Sequence, residues 1–294
     1  MMNEEYLIEI RPAEVSDTED MIELTRTIWE GHDYVPSVWE DWLADSSGML
    51  AVAEHDGKVL GLGKLTLLAP GQWWLEGLRT HPEYEGLGIA SRLHHYLVEL
   101  WQETGDGVLR FATSSSRDPV HHLAHTTGFE QIAEFTTYVA SGIAEPTTEF
   151  RKLEEAQAQE AFDVVQASDG LALAYGLWDI DWGWLRPTIE QIRQVIGRGQ
   201  AYWWREREGV LAFHKNEEEE ESRVRLQVAG CSIAHLGGFL QAYRHLTSNL
   251  GYEEAAWVAP LRPEVQQALE ENGFQREWDG SVYVYEKRLE MQEV

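Results

Sequence analysis

A chain that repeats its own punctuation at a fixed spacing has few folds open to it. Gly128-Phe129 recurs as Gly273-Phe274, and Tyr138-Val139 recurs as Tyr283-Val284, both at an offset of 145 residues. Each Gly-Phe pair closes a helix-like stretch and opens a strand-like one. The 294 residues are about twice the length of an ordinary domain. The chain therefore reads as two copies of one fold, residues 1–145 and 146–294, joined in the stretch 141–149. Periods of 20–50 residues, the mark of a solenoid, are absent from the sequence.

Within the first copy, apolar and polar residues alternate over 6–11, as in a half-buried strand. Ser16 with Glu19 forms a capping-box pattern that predicts a helix to about Trp29, and Ser37 with Glu40 predicts a short second helix carrying Trp39 and Trp42. A hairpin is expected from residues 49–54 and 59–68 about Asp56-Gly57. Pro70-Gly71 then turns the chain into a strand over 72–80. A helix follows over 88–103, ended by Gly105, then a strand over 108–113 and a helix over 118–127. Two strands, 130–135 and 137–141, close the unit. In the second copy, helices near 155–167 and 188–196 stand in the places of the first two, and Glu208-Gly209 stands where Asp56-Gly57 does. Trp178, Trp182 and Trp184 read as core between the domains rather than as a stacking surface for substrate.

Composition removes several classes of function. A formal charge of −28 repels phosphate backbones and anionic lipid, so nucleic acid and membranes are not expected partners. A hydrophobic content of 43% with 11% aromatics is too rich for a disordered acidic chain. One cysteine, Cys231, allows no intramolecular disulfide and points to a reducing compartment. The N-terminus lacks a basic-then-apolar leader and no run approaches 18 apolar residues, which predicts a cytoplasmic protein. The acidic run 217–221 reads as a solvated loop.

The sharpest local feature is Glu85-Gly86-Leu87-Gly88-Ile89-Ala90-Ser91, directly after a strand and directly opening a helix. Glycines there let the backbone approach a ligand closely, and helix-terminal N–H groups attract an anion. No Gly-Lys-Ser/Thr follows, so this is not a Walker loop. Ser91 stands where a dinucleotide fingerprint needs glycine.

In this setting the segment resembles motif A of the GCN5-related N-acetyltransferase (GNAT) superfamily. The resemblance implies an α/β protein of two tandem GNAT-like domains, each a mixed, mostly antiparallel sheet flanked by helices. Gly88 and Ala90 match the family's phosphate loop, whereas Glu85 stands where Gln or Arg is usual. A carboxylate there repels a diphosphate unless it points away, and Arg92 offers partial compensation. Gly31-His32-Asp33-Tyr34-Val35-Pro36 and Glu76-Gly77-Leu78-Arg79 are similar to the histidine N-acetyltransferase branch, which also carries a degenerate second repeat. At the same register the second copy has Cys231 and Ile233 in place of Gly86 and Gly88. A small insertion would instead bring Gly237-Gly238 to that place. The second copy is expected to be degenerate and not to bind coenzyme A.

The resemblance implies acetyl-CoA as co-substrate, with Glu85 to Arg92 at its diphosphate and the backbone of Leu78, Arg79 and Thr80 along its pantetheine arm. Ser115, after the strand over 108–113, is the candidate polar contact to that arm, or else part of a helix-capping loop. Glu76 is the candidate general base; its apolar neighbours predict a raised pKa if it does not point to solvent. Many members carry a Tyr acid four residues before the Gly-Phe pair, but here that position is Ala124. His32, Asp33, Tyr34 and His121 are candidate acceptor contacts, with Asp33 paired to a cationic group. His121 and His125 have zinc spacing, but no Glu completes the motif and no metal is expected. The expected activity is acetyl transfer to a small-molecule amine, with an amino acid among the candidates, by a monomer or homodimer. The alternatives are a non-catalytic acyl-CoA sensor and a tandem scaffold for a protein partner.

Overall fold

The computed structural model describes residues 7–215 and 222–289; the acidic run 217–221 lies outside them. In chain order, β1 is Glu9–Pro12, α1 Thr18–Thr25, α2 Val35–Ala44, β2 Met49–His55, β3 Lys58–Ala69 and β4 Gln72–Thr80. Then come α3 (Ile89–Thr104), β5 (Val108–Ser114), α4 (Asp118–Thr126) and β6 (Glu130–Ser141). The second half holds β7 (Phe150–Lys152), α5 (Ala158–Ala167), α6 (Asp169–Leu173), β8 (Trp178–Asp179), β9 (Trp184–Leu185) and α7 (Ile189–Gly197). It continues with β10 (Ala201–Trp204), β11 (Gly209–Lys215), β12 (Arg223–Gly230), α8 (Leu236–Asn249) and β13 (Glu254–Pro260). The last elements are α9 (Pro263–Glu271), β14 (Gln275–Arg276) and β15 (Val282–Arg288).

These elements form two compact units. The first holds Met1–Phe111, Pro119–Glu130 and Glu286–Val294; the second holds Ala112–Asp118 and Gln131–Tyr285. This differs from the single boundary expected between 145 and 146, and buried polar contacts give the reason. Arg110 and Glu286, 1% and 4% exposed at their side chains, form an ion pair at 2.8 Å. Lys287 Nζ donates to the Thr127 carbonyl at 2.6 Å. The end of the chain is thereby tied into the first unit. Segment 112–118 belongs with the second, where the Ser115 amide donates to the Ser281 carbonyl at 2.8 Å.

In the first unit the strands run in the order β1-β2-β3-β4-β5. All pairs are antiparallel except β4 with β5. The β2–β3 hairpin turns through Asp56 and Gly57, both with positive φ (+51° and +79°), as a two-residue turn requires. Helix α3 buries Ile89, Leu93, Leu97 and Trp101, spaced i, i+4 along one stripe. It reaches the sheet because β3 reads Gly-Leu-Gly: a Cβ on Gly61 would lie 2.8 Å from Ile89 Cγ2. Two expectations fail here. The Ser16–Glu19 box is replaced by a reciprocal pair of Glu14 with Asp17, because the Asp17 carboxylate is also gripped by Arg11 at 2.7 and 2.8 Å. Residues 130–141 form one strand, not two.

In the second unit the order is β6-β13-β12-β11-β10-β7, with β12 parallel to β13, and β14 also pairs with β6. Its core gathers Trp204, Leu226, Phe239, Tyr243 and Trp257. Trp178 and Trp184 are buried in this unit (0% and 1% exposed), whereas Trp182 is 46% exposed at a turn where it and Asp181 take positive φ. The repeat seen in the sequence has a structural counterpart. Gly128 (φ +77°) and Gly273 (φ +80°) end α4 and α9 in the same way. The following Phe amide donates back five residues and the Gly amide three, the Schellman arrangement.

Candidate active site in the first unit

The first component is the start of α3. Gly86 (φ +82°) and Gly88 (φ +75°) hold conformations that other residues adopt at a cost, and nothing lies within 4 Å of a Cβ built on either. Gly88 is the N-cap, and no side chain caps the helix. The Arg92 amide donates to the Gly88 carbonyl at 3.0 Å. The amides of Gly86, Gly88, Ile89, Ala90 and Ser91 find no acceptor among the described residues. A cluster of open donors at the positive end of a 16-residue helix is a seat for an anion. Leu87 stands half out of the loop at 37% exposure. Glu85 is exposed in an extended conformation. Arg92 is also exposed, with Nη1 3.4 Å from the Ile8 carbonyl.

The second component is β4. Its register against β3 runs from Leu62↔Arg79 to Lys64↔Glu76, so β4 spends three steps where β3 spends two. This bulge centres on Gly77, which has φ +63° and lies under the Trp42 indole; a Cβ there would come within 2.5 Å of the ring. Pairing with β5 covers only Gln72–Trp74. Leu78, Arg79 and Thr80 therefore lie on a stretch of β4 whose described strand partner is β3 alone.

Glu76 sits beside the bulge. Thr66 Oγ1 donates to its Oε1 at 2.5 Å. Burial pushes the carboxyl above its ordinary value, partly opposed by the Thr66 hydrogen bond and the Lys64 charge. Tyr34 lies nearby: burial, then the Glu76 charge, raises its hydroxyl to about 12. Its ring meets Trp42 edge-on at 6.0 Å.

Asp33, expected to meet a cationic acceptor group, already has a partner within the chain. Its carboxylate, 1% exposed, is held bidentately by Arg79 at 2.7 and 3.0 Å, so it is already neutralised and not open to a cationic substrate. The Arg79 guanidinium lies 4.6 Å from the Trp29 ring and 5.4 Å from the Tyr34 ring. Trp29 and Glu30 both hold positive φ ahead of Gly31. Strained backbone of this kind persists only where the surroundings impose it. Trp29 and Tyr34 remain 51% and 40% exposed, and Tyr34 is the ring whose hydroxyl feels the Glu76 charge. His32 is exposed on the same segment.

Two further candidates lie on other segments. Ser115 lies in the second unit, its Oγ accepting the Ser281 amide at 3.2 Å. His121 is half-buried on α4, and Ala124 is fully buried. No three His, Cys, Asp or Glu side chains gather as metal ligands among the described residues. The sequence alone did not place Thr66 and Lys64 beside Glu76, nor Trp42 over Gly77. Gly77 inside a strand was the available signal, since it marks a bulge.

The second unit treats its corresponding helix differently. The Asp169 carboxylate accepts the Ile233 amide at 3.0 Å, so the chain's own anion occupies a donor where α3 leaves donors open. Burial and the charge of Asp169 push the Cys231 thiol up to about 12. Gly237 and Gly238 lie inside α8, not in a loop. Counting four residues from the first parallel pair of each unit (Gln72↔Val108, Arg223↔Glu254) reaches Glu76 in one and Gln227 in the other.

Residues 17–129 match the model of the acetyltransferase (GNAT) family. Residues 17–129 therefore carry a GNAT acetyltransferase domain. A histidine N-acetyltransferase of Xenopus tropicalis is 33% identical over 89 residues, 30% of this chain. That stretch spans 28% of the Xenopus protein, about a quarter of its length. Among solved structures, a GCN5-related N-acetyltransferase from Sphaerobacter thermophilus is similar with a TM-score of 0.68 and 12% identity, covering 98% of this chain and 97% of that one. A tandem GNAT protein from the clavulanic acid biosynthesis pathway gives 0.62 and 13%, covering 97% and 100%. These likenesses extend the GNAT fold over both halves, so the tandem architecture read from the 145-residue offset is present. No helix among the described residues is long and apolar enough to cross a membrane.

Proposed function

We propose that the first unit transfers an acetyl group from acetyl-CoA to the amine of a small molecule. The observation that carries this is the presence on one unit of an uncapped helix start with open amides and a β4 bulge beside a half-buried carboxylate. The amides of residues 86–91 fit a diphosphate, because no side chain caps them and no Cβ fills the space beside Gly86 or Gly88. The backbone of Leu78 and Thr80 fits an extended pantetheine arm, which pairs as a strand does.

The attacking amine must be neutral. Glu76, with its carboxyl raised by burial, takes the proton that nitrogen loses, directly or through a water. Thr66 fixes the carboxylate orientation. The leaving thiolate is weakly basic and takes its proton from solvent. Trp29, Tyr34 and His32 form the acceptor rim, and the Asp33–Arg79 pair holds that rim in place. With Asp33 neutralised, a cationic acceptor has no special advantage.

The test is release of free thiol from acetyl-CoA across an amine panel. L-histidine heads it, because that substrate is named for relatives matching this segment. Turnover with at least one small amine supports the reading. Saturable acetyl-CoA binding without turnover across amino acids, polyamines, aminoglycosides and peptide N-termini would favour a sensor instead. Absence of binding would overturn both.

A further inference from the structure

Lys64 is a fully buried cation on β3, where its neighbours along the strand are mostly apolar. Its side chain is 0% exposed, and its ammonium is paired with Asp45 just past the end of α2. Nζ also donates to the Leu65 carbonyl at 3.0 Å. Space for this charge is built in: a Cβ on Gly48 would lie 2.5 Å from Nζ and 2.7 Å from Asp45 Oδ2. Such a group costs stability unless its charge is used.

Its use follows from register. Lys64 is directly opposite Glu76 across β3 and β4, and residues so paired share one face of the sheet. Thr66, two residues on, lies on that face and donates to Glu76. The charged and titratable groups around Glu76 are thus Lys64 from β3, Asp45 from the end of α2 and Tyr34 from its start. Lys64 favours the charged form of Glu76; Asp45 and Tyr34 do not. Burial works to raise Asp45, but Lys64 and hydrogen bonds from Ser47 hold its carboxyl down at about 2. That anion therefore stays charged and keeps the ammonium in place.

We propose that Lys64, clamped by Asp45 and the Leu65 carbonyl, is a positioning residue whose buried ammonium keeps Glu76 in its carboxylate form beside the β4 bulge. The inference rests on Glu76 being the base but predicts something independent of turnover. Without Lys64, only Thr66 would offset the burial of Glu76.

The experiment is carbon-13 NMR titration of the full chain labelled at the glutamate carboxyl carbon. The Glu76 resonance is the one lost in Glu76→Gln. In Lys64→Met and in Lys64→Gln, which keeps a hydrogen-bonding side chain, the midpoint rises by about one pH unit or more. An unmoved midpoint in both Lys64 variants overturns the inference. If neither folds, Lys64→Arg, which keeps the cation, decides: the parent midpoint retained supports the inference, and a rise of about one pH unit overturns it. The two readings fail separately. Unchanged thiol release by Glu76→Gln with acetyl-CoA and an accepted amine removes Glu76 as base but leaves the NMR midpoints intact. An unmoved midpoint removes Lys64 while Glu76→Gln still loses turnover.

Discussion

Replacing Gly88 by Glu separates the phosphate reading of the α3 start from a merely structural one. A Cβ at Gly88 meets nothing within 4 Å, so the new side chain enters open space. The positive φ of 75° costs a non-glycine residue about 1–2 kcal/mol. A carboxylate near a helix N-terminus returns about 0.3–1 kcal/mol of that. The variant should therefore fold with a loss near 1 kcal/mol. Its effect on the ligand is much larger. A carboxylate about 4 Å from a phosphate charge opposes it by about 1 kcal/mol in water and about 4 kcal/mol at an effective dielectric near 20. Two such charges give about 2–8 kcal/mol, and the lower bound alone weakens binding about thirtyfold. Calorimetric titration with coenzyme A reads this directly, with Gly88→Lys as a control of similar bulk and opposite charge. Glu weakens binding at least thirtyfold, a gap that added salt narrows by screening the repulsion, while Lys retains binding. A folded Gly88→Glu protein whose affinity stays within about threefold of the parent would refute the cradle.

Three further outcomes are expected. Glu76→Gln lowers kcat by roughly 10²–10⁴ and leaves coenzyme A affinity within a few-fold, measured by thiol release and calorimetry; equal losses in both would mark Glu76 as structural. Gly77→Ala forces a methyl to within 2.5 Å of the Trp42 ring at φ +63°, so urea denaturation should show a loss of about 2–4 kcal/mol. His94, 5% exposed, is held at about 4 by burial and by neighbouring His95, below its ordinary 6.5. The folded chain then binds fewer protons than the unfolded one, so this contribution is full above pH 6.5 and lost as pH falls toward 4. The loss is up to about 3 kcal/mol, and its slope in pH-dependent denaturation should vanish in His94→Gln.

Local chemistry made much of the fold legible. Asp56-Gly57 can turn a chain only one way between two apolar runs, and β4, α3 and β5 lie within a residue or two of expectation. The open amides at 86–91 follow from glycines set between strand and helix. What stayed hidden depends on partners distant in sequence. Asp33 carries a substrate-facing signature until Arg79, 46 residues away, claims it. Lys64 looks like a break in an apolar strand until Asp45 and Glu76 are beside it. The anion that fills the second unit's helix start is Asp169, 64 residues before Ile233, and no spacing rule connects them. Likewise, Glu286 joins the first unit through Arg110, 176 residues earlier.

The decisive measurement is a crystal structure grown with coenzyme A. Diphosphate oxygens should lie within hydrogen-bonding distance of the Gly86–Ser91 amides and of no amide near Ile233, where Asp169 already sits. Density for the diphosphate beside Ile233, or a first unit that stays empty at saturating ligand, would contradict that placement.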